Sequence, residues 1–162
     1  CLKVIDPYRD RTLPNRPDLV TQAMPLSRVE LVQPAPARPA HPPESIFGPE
    51  PEHNWCYYFQ KAELARQVGD WQQVIGLARQ ALPLAPPGRE NAPEVAPFIE
   101  GYAHSGDWQQ ALELSLRFGE RSDKMPFVLC DAWRRIASDT PPGTEKNAAL
   151  QQINQRFQCG IP

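Results

Sequence analysis

The chain repeats the five-residue string GDWQQ, once at residues 69–73 and again at residues 106–110. The two copies are 37 residues apart, and a third glycine, Gly143, follows the second copy at the same interval. Each of these glycines lies between two stretches whose apolar residues recur at helical spacing. A helix–turn–helix unit with a period in the mid-thirties is typical of helical repeat proteins. We therefore predict three helical hairpins with turns at these glycines.

The repeated string itself predicts the chemistry of each turn. The glycine ends the first helix of the hairpin, the aspartate caps the second helix, and the tryptophan packs over the next hairpin. An alternative is that a tryptophan faces outward as an anchor for a partner. The third turn lacks the aromatic residue, and Thr144 is expected to cap its second helix. The residues assigned to these structural roles are Gly69, Asp70, Trp71, Gly106, Asp107, Trp108 and Gly143.

Proline divides the chain into two regions. Many of the 20 prolines precede residue 53, and "QPAPARPAHPP" is expected to adopt polyproline II. We predict an extended N-terminal arm and linker over residues 1–53 and a three-unit helical domain over residues 54–159. Within the arm, "CLKVID" and "SRVELVQ" are predicted as short strands, and residues 18–23 as one or two helical turns. Ile46 and Phe47 are expected to pack against the helical body.

Charge and motif content exclude several functional classes. The net charge is −2 and there is no clustered basic face, so nucleic-acid binding is not expected. The sequence contains no run of about 18 apolar residues, which is the length needed to span a bilayer. The cysteines form no CxxC pair and the three histidines are far apart, so neither a metal nor a cofactor is predicted. Glu63 and Glu100 are equivalent in register, but adjacent repeats separate them too widely for a glycosidase pair. We predict no catalytic residue in this chain.

The predicted binding site is a groove. In helical repeats the first helices line an extended concave surface, which suits an extended peptide or a neighbouring chain. Register places aromatic side chains in one row, acidic side chains in a second row, and polar side chains near the edge. An alternative is that the N-terminal arm fills this groove. The groove residues are Phe59, Glu63, Arg66, Gln67, Glu100, His104 and Trp133.

The repeat resembles the tetratricopeptide family. That family has a small residue in the first helix, G-[DN]-[WYF] at the turn, alanines in the second helix and a closing proline. The resemblance covers about 105 residues and implies an all-α, right-handed α-solenoid of three hairpin units. Ile99 and Phe118 are larger than the family pattern, and the period exceeds the family's 34 residues. The matching positions are Ala62, 69–71, Val74, Ala81 and Pro86, then Tyr102, 106–108 and Ala111, then Gly143 and Ala148.

A second resemblance concerns longer strings. "IFGPEPEHNWCYYFQKAELARQVGDWQQV" and "APFIEGYAHSGDWQQALEL" look like the C-terminal extracytoplasmic portion of bacterial polytopic membrane proteins of the dolichyl-phosphate-mannose glycosyltransferase type. The resemblance implies a tethered, non-catalytic interaction module outside the cytoplasm. It would bind a protein, a peptide or the membrane part of its own chain. The alternative is an accessory domain that contacts a glycan or a lipid-linked donor. A cytoplasmic location is the alternative placement.

The four cysteines are interpreted with this compartment in mind. Cys130 and Cys159 approach the same end of the third predicted hairpin, where a disulfide is geometrically feasible. Cys1 and Cys56 are the remaining pair, and their bridge would tie the arm to the first helix. If the protein is cytosolic, the thiols are instead small buried hydrophobic groups.

Overall fold

A computed structural model describes residues 1, 4–5, 17–32, 42–85, 92–120 and 123–162. Within these residues the protein is all-α and contains no strand. The helices are α1 (Asp18–Ala23), α2 (Glu44–Phe47), α3 (Trp55–Gln67), α4 (Trp71–Ala81), α5 (Ala96–His104), α6 (Trp108–Gly119), α7 (Met125–Asp139) and α8 (Thr144–Phe157). Short 3₁₀ segments lie at Met24–Leu26, Val29–Leu31, Leu82–Leu84 and Ala92–Val95.

The N-terminal arm differs from its prediction. The helix at α1 is confirmed, but the predicted strand "SRVELVQ" contains a 3₁₀ helix at Val29–Leu31, and residues 4–5 of the other have no regular structure. Neither segment has a strand partner among the described residues, which a strand needs for its backbone groups. Residues 33–41, most of the predicted polyproline stretch, lie outside the described residues. Ile46 and Phe47 are 74% and 71% exposed, so their predicted packing against the helical body is wrong.

The first two turns have the predicted chemistry. The side chain of Asp70 accepts a hydrogen bond from the backbone N–H of Gln73 at 3.0 Å, and Asp107 accepts one from Gln110 at 3.1 Å. Gly69 and Gly106 have φ angles of 74° and 81°, in the left-handed region where glycine has no steric penalty. The glycine stops and aspartate caps are therefore confirmed.

The third turn is built differently. Gly143 has a φ of −176°, and α8 starts at Thr144 without any side-chain cap, so the prediction that Thr144 caps this helix is wrong. Pro141 and Pro142 have no N–H with which to satisfy the last carbonyls of α7. The buried ammonium of Lys146 does so instead, since its Nζ donates to the carbonyls of Ala137 and Thr140 at 2.7 Å each.

Consecutive long helices pack in pairs. Helix α3 packs on α4, α5 on α6, and α7 on α8, while α5 also contacts both α3 and α7. We call α3, α5 and α7 the first helices. Val74 and Ala111 are fully buried at equivalent positions, but Ala148 is exposed and its neighbour Ala149 is buried instead. The predicted equivalence therefore fails in α8.

Glycine permits one close helix contact. A Cβ atom built on Gly101 of α5 would lie 2.5 Å from Cγ1 of Val74 in α4. Any larger residue would therefore force these helices apart, so the tight approach of α4 and α5 depends on this glycine.

Both predicted disulfides are present. The S–S distances are 2.08 Å for Cys1–Cys56 and 2.02 Å for Cys130–Cys159. The second bridge joins the C-terminal segment to α7, and Asn154 of α8 holds the same segment through hydrogen bonds to the backbone N–H and carbonyl of Ile161. No helix among the described residues is both long and apolar enough to cross a membrane.

Candidate binding surfaces

Charged side chains from the three first helices meet in an ion cluster. At its centre, Oε1 of Glu100 accepts hydrogen bonds from Arg66 Nη1 at 3.2 Å and from Arg135 Nη2 and Nε at 2.6 and 3.2 Å. Arg66 also binds Glu63 at 2.8 Å, and Arg135 binds Asp131. The cluster thus links α5 to both α3 and α7.

The centre of the ion cluster is removed from solvent. Arg66 and Glu100 are each 2% exposed, and Arg135 is 9% exposed. Burial lowers the pKa of the Arg135 guanidinium, but the charge and hydrogen bonds of Glu100 and the charge of Asp131 outweigh burial and raise it above its ordinary value. The charge of Arg66 opposes them in part. Arg135 is therefore charged, and the cluster fastens the first helices to one another.

The predicted aromatic row does not reach the surface. Phe59 is 2% exposed and Trp133 is fully buried, with its indole N–H donating to Ser115 Oγ at 2.9 Å. Because both rings lie in the core, the prediction that they line an open groove is wrong. The repeat register placed Phe59 and Trp133 on the same face of the first helices, but it did not indicate that this face is buried under neighbouring residues.

The turns form a separate edge of the molecule. Trp71 of the first turn stacks on His104 of the second, with ring centroids 3.8 Å apart and planes within 6° of parallel. This is the packing role predicted for the tryptophan of the repeat. Gln67, in the register position equivalent to His104, donates from Nε2 to the carbonyl of Val29 at 3.0 Å. His104 and Gln67 thus serve intramolecular contacts at this edge.

A cleft of about 600 Å³ opens between the second and third turns. We call it the turn-edge cleft. Its walls are Trp108 and the second turn on one side, and the third turn with the start of α8 on the other. The lining residues are Ala103, His104, Ser105, Gly106, Trp108, Thr140, Pro141, Pro142, Gly143, Thr144, Glu145 and Lys146.

The two repeated tryptophans differ in their surroundings. Pro141 takes the register position that His104 takes one repeat earlier, so the ring that covers Trp71 has no aromatic counterpart at Trp108. Trp55 and Trp133 donate hydrogen bonds from their indole N–H groups to Glu94 and Ser115. The indole N–H of Trp108 donates none to any residue that the structure describes. Trp108 is half-buried, packs against the core and lines the cleft, so its accessible part can contact a ligand there.

The charge of the turn-edge cleft comes from a carboxylate. Glu145 is exposed on its wall, whereas the ammonium of Lys146 is directed into the carbonyls at the end of α7. No group of three or more metal-ligating side chains occurs in the part of the chain that is described. The arrangement offers an aromatic face, two proline rings and one negative charge, which suits non-covalent binding of an extended segment.

The groove predicted from the sequence shares only His104 with the lining of this cleft, while Trp108 matches the alternative of an outward-facing tryptophan. The signal was present, since the third turn has two prolines before its glycine and no aromatic residue after it. Comparison with protein families, with curated proteins and with solved structures found no significant match to this chain.

Proposed function

We propose that the chain is a non-catalytic interaction domain that binds an extended protein or peptide segment in the turn-edge cleft. The observation that supports this most is the half-buried Trp108, which lacks the ring that covers Trp71 and lines an open cleft. A rigid aromatic side chain contributes a large contact area at little entropic cost, which is why tryptophan is frequent among binding hot spots.

The first helices are a poorer binding surface. The ion cluster occupies their shared face, and its central carboxylate already accepts three hydrogen bonds. The aromatic rings of that face are in the core. A ligand there would have to displace satisfied buried charges, which is costly.

We propose that α3 to α8 form a right-handed solenoid of three tetratricopeptide-like hairpins. The 37-residue register, the two left-handed glycines and the pairwise packing support this arrangement. The third hairpin ends the array, since α8 exposes polar side chains such as Gln151, Gln152 and Gln155. The two disulfides fit an oxidising, extracytoplasmic environment. In this proposal the domain is tethered to a bacterial membrane protein, whose loops are one source of the bound segment.

A second candidate function is contact with a glycan or a lipid-linked sugar donor. Its support is a partly exposed aromatic group at the start of α3. His53 stacks on Tyr57 with ring centroids 3.6 Å apart, and Lys61 lies 5.5 Å from the Tyr57 ring. Stacked rings with polar edges suit the apolar face of a sugar. Binding to a glycan array that is lost in Tyr57→Ala but kept in Trp108→Ala would favour this function over the first.

Selection from a random peptide library displayed on phage tests the proposed function. The immobilised wild-type domain is expected to enrich a peptide family, and Trp108→Ala is expected to lose it. Phe127→Ala is the control, since it removes an exposed aromatic side chain that does not line the cleft. Circular dichroism verifies that both variants are folded. Enrichment of no peptide, or equal enrichment by Trp108→Ala, would refute the proposal.

A further inference from the structure

The turn-edge cleft has features that identify its occupant more closely, on the basis of the proposed function. We infer that it binds a proline-rich, arginine-containing segment in the polyproline II conformation, supplied by residues 33–43 of a second copy of this chain. Four features support this occupant: the stacking on Trp71, the indole N–H of Trp108, the charge of the cleft and the sequence of the arm.

The Trp71–His104 stack is an internal template for a ring that covers the indole of Trp108. There a flat ring lies parallel to the indole at 3.8 Å. At Trp108 the equivalent position is Pro141, and the cleft lies between the two turns. A proline ring is compact, rigid and apolar, so it can cover an indole face with little loss of side-chain entropy.

The hydrogen-bonding capacity of the cleft also fits polyproline II. This conformation has no internal hydrogen bonds, so each backbone carbonyl can accept one from a partner. The indole N–H of Trp108 donates to no described residue and is therefore suited to such a carbonyl. Pro141 and Pro142 fix the opposite wall, since proline restricts φ. Ligand and wall are thus both pre-organised, which lowers the entropic cost of association.

The negative charge of the cleft favours an arginine in the bound segment. Glu145 is exposed on the cleft wall, and the ammonium of Lys146 is occupied by two carbonyls. A guanidinium can bind a carboxylate through two parallel hydrogen bonds. The arm sequence "QPAPARPAHPP" at 33–43 places Arg38 between prolines and contains no acidic residue.

The chain itself supplies the proline-rich segment that the cleft is proposed to bind. Each copy carries one such segment and one such cleft, so a reciprocal exchange between two copies satisfies both sites in a closed, two-fold pair. We therefore expect weak self-association that increases with protein concentration.

The test is a titration of the ¹⁵N-labelled full chain with a capped synthetic peptide of residues 33–43, followed by NMR. The indole N–H resonance of Trp108 is expected to shift, while those of Trp55 and Trp133 stay unchanged. Trp108→Ala is expected to weaken binding roughly tenfold or more. Replacing the prolines of the peptide by alanine is expected to abolish the shift. This peptide control needs no folded variant.

A double-mutant cycle tests the charge contact. Glu145→Gln, or Arg38→Ala in the peptide, is expected to weaken binding about twofold to fivefold, and the two changes together no further. Glu52→Gln, an exposed acidic residue outside the cleft, is the matched control. Additive losses, or an equal loss in the control, would contradict the contact between Glu145 and Arg38.

Sedimentation equilibrium of the full chain identifies the source. Self-association that weakens in Trp108→Ala and in the Pro34→Ser/Pro36→Ser/Pro39→Ser chain supports the second copy. A full chain that stays monomeric at millimolar concentration would overturn the second copy as the source of the segment. A Trp108 indole resonance that shifts in the Pro34→Ser/Pro36→Ser/Pro39→Ser chain independently of protein concentration would also overturn it. Absence of peptide binding overturns this inference alone if the phage selection yields other peptides, and the proposed function as well if it yields none.

Discussion

The ion cluster allows the sharpest test of how the first helices are held together. Glu100→Gln keeps the shape of the side chain but removes the negative charge between Arg66 and Arg135. Three hydrogen bonds from two guanidinium groups end on one oxygen of Glu100. Because that oxygen is buried, water cannot replace the lost charge.

The expected loss follows from these contacts. Removing one partner of a buried ion pair costs about 3–5 kcal/mol of unfolding free energy. Here Arg66 keeps Glu63 and Arg135 keeps Asp131, both at the better-solvated edge of the cluster. The lower end, about 3 kcal/mol, is therefore expected. For a chain of this length that loss lowers the melting temperature by about 6–12 °C.

The assay is urea unfolding of the disulfide-bonded protein at pH 7, followed by circular dichroism at 222 nm. Glu113→Gln is the control and should change stability by less than about 0.5 kcal/mol, because Glu113 is exposed and, among the described residues, its carboxylate binds only Gln109 and Gln110 of its own helix. The triple variant Arg66→Met/Glu100→Leu/Arg135→Met removes all the central charges together and should stay within about 1 kcal/mol of wild type.

Two results would refute this reasoning. A loss below about 1 kcal/mol in Glu100→Gln would mean that the buried guanidinium groups find other compensation. A triple variant that loses at least as much stability as Glu100→Gln would mean that the charges stabilise the protein individually and not as a mutually compensating set.

Three further predictions concern other parts of the fold. Lys146→Met should lower the unfolding free energy by about 2 kcal/mol, because the carbonyls of Ala137 and Thr140 lose a charged donor. A loss below about 0.5 kcal/mol in urea unfolding would contradict the role of Lys146 in satisfying these carbonyls. Gly101→Ala should cost about 1–3 kcal/mol in the same assay through its contact with Val74, and combining it with Val74→Ala should cost less than the sum of the two single changes. Burial raises the pKa of the Tyr102 hydroxyl, with Arg79 opposing and Asp107 adding to the shift, so its contribution to stability is complete below about pH 10 and is lost as the pH rises through the folded-state pKa. Absorbance titration at 295 nm of wild type and Tyr102→Phe should therefore differ by one group that ionises above pH 10, and a difference centred at or below pH 10 would contradict the shift.

Local chemistry was predictable from the sequence. Gly69, Asp70 and their counterparts one repeat later need only neighbouring residues to end one helix and cap the next. The repeat register extended this to longer range, since the Cys130–Cys159 pairing followed from where these cysteines fall relative to Gly143, and Cys1–Cys56 was then the remaining pair. The turns and the Cys130–Cys159 bridge depend on the order of residues along one hairpin.

Features that depend on packing between hairpins were not predictable. Register placed Phe59 and Trp133 on the same face of the first helices, but burial depends on what the neighbouring helices cover. Glu63 and Glu100 were expected as two exposed carboxylates, and Arg66 and Arg135 instead draw Glu100 into the core. The third turn departs from the pattern of the first two. Pro141 and Pro142 have no N–H to donate, and the ammonium of Lys146 donates to the carbonyls at the end of α7 instead.

The two disulfides also determine how the protein would respond to a mechanical load. A pulling force applied at Cys1 passes through the bridge into Cys56 near the start of α3, so residues 2–55 carry no tension. A force applied beyond Cys159 enters α7 at Cys130, so α8 lies off the load path. The segment from Cys56 to Cys130 bears the load and includes Arg66 and Glu100 of the ion cluster, whereas Arg135 lies in the shielded segment between Cys130 and Cys159. Residues 33–43, the segment proposed to bind, and the wall of the turn-edge cleft formed by residues 140–146 would thus both lie off the load path.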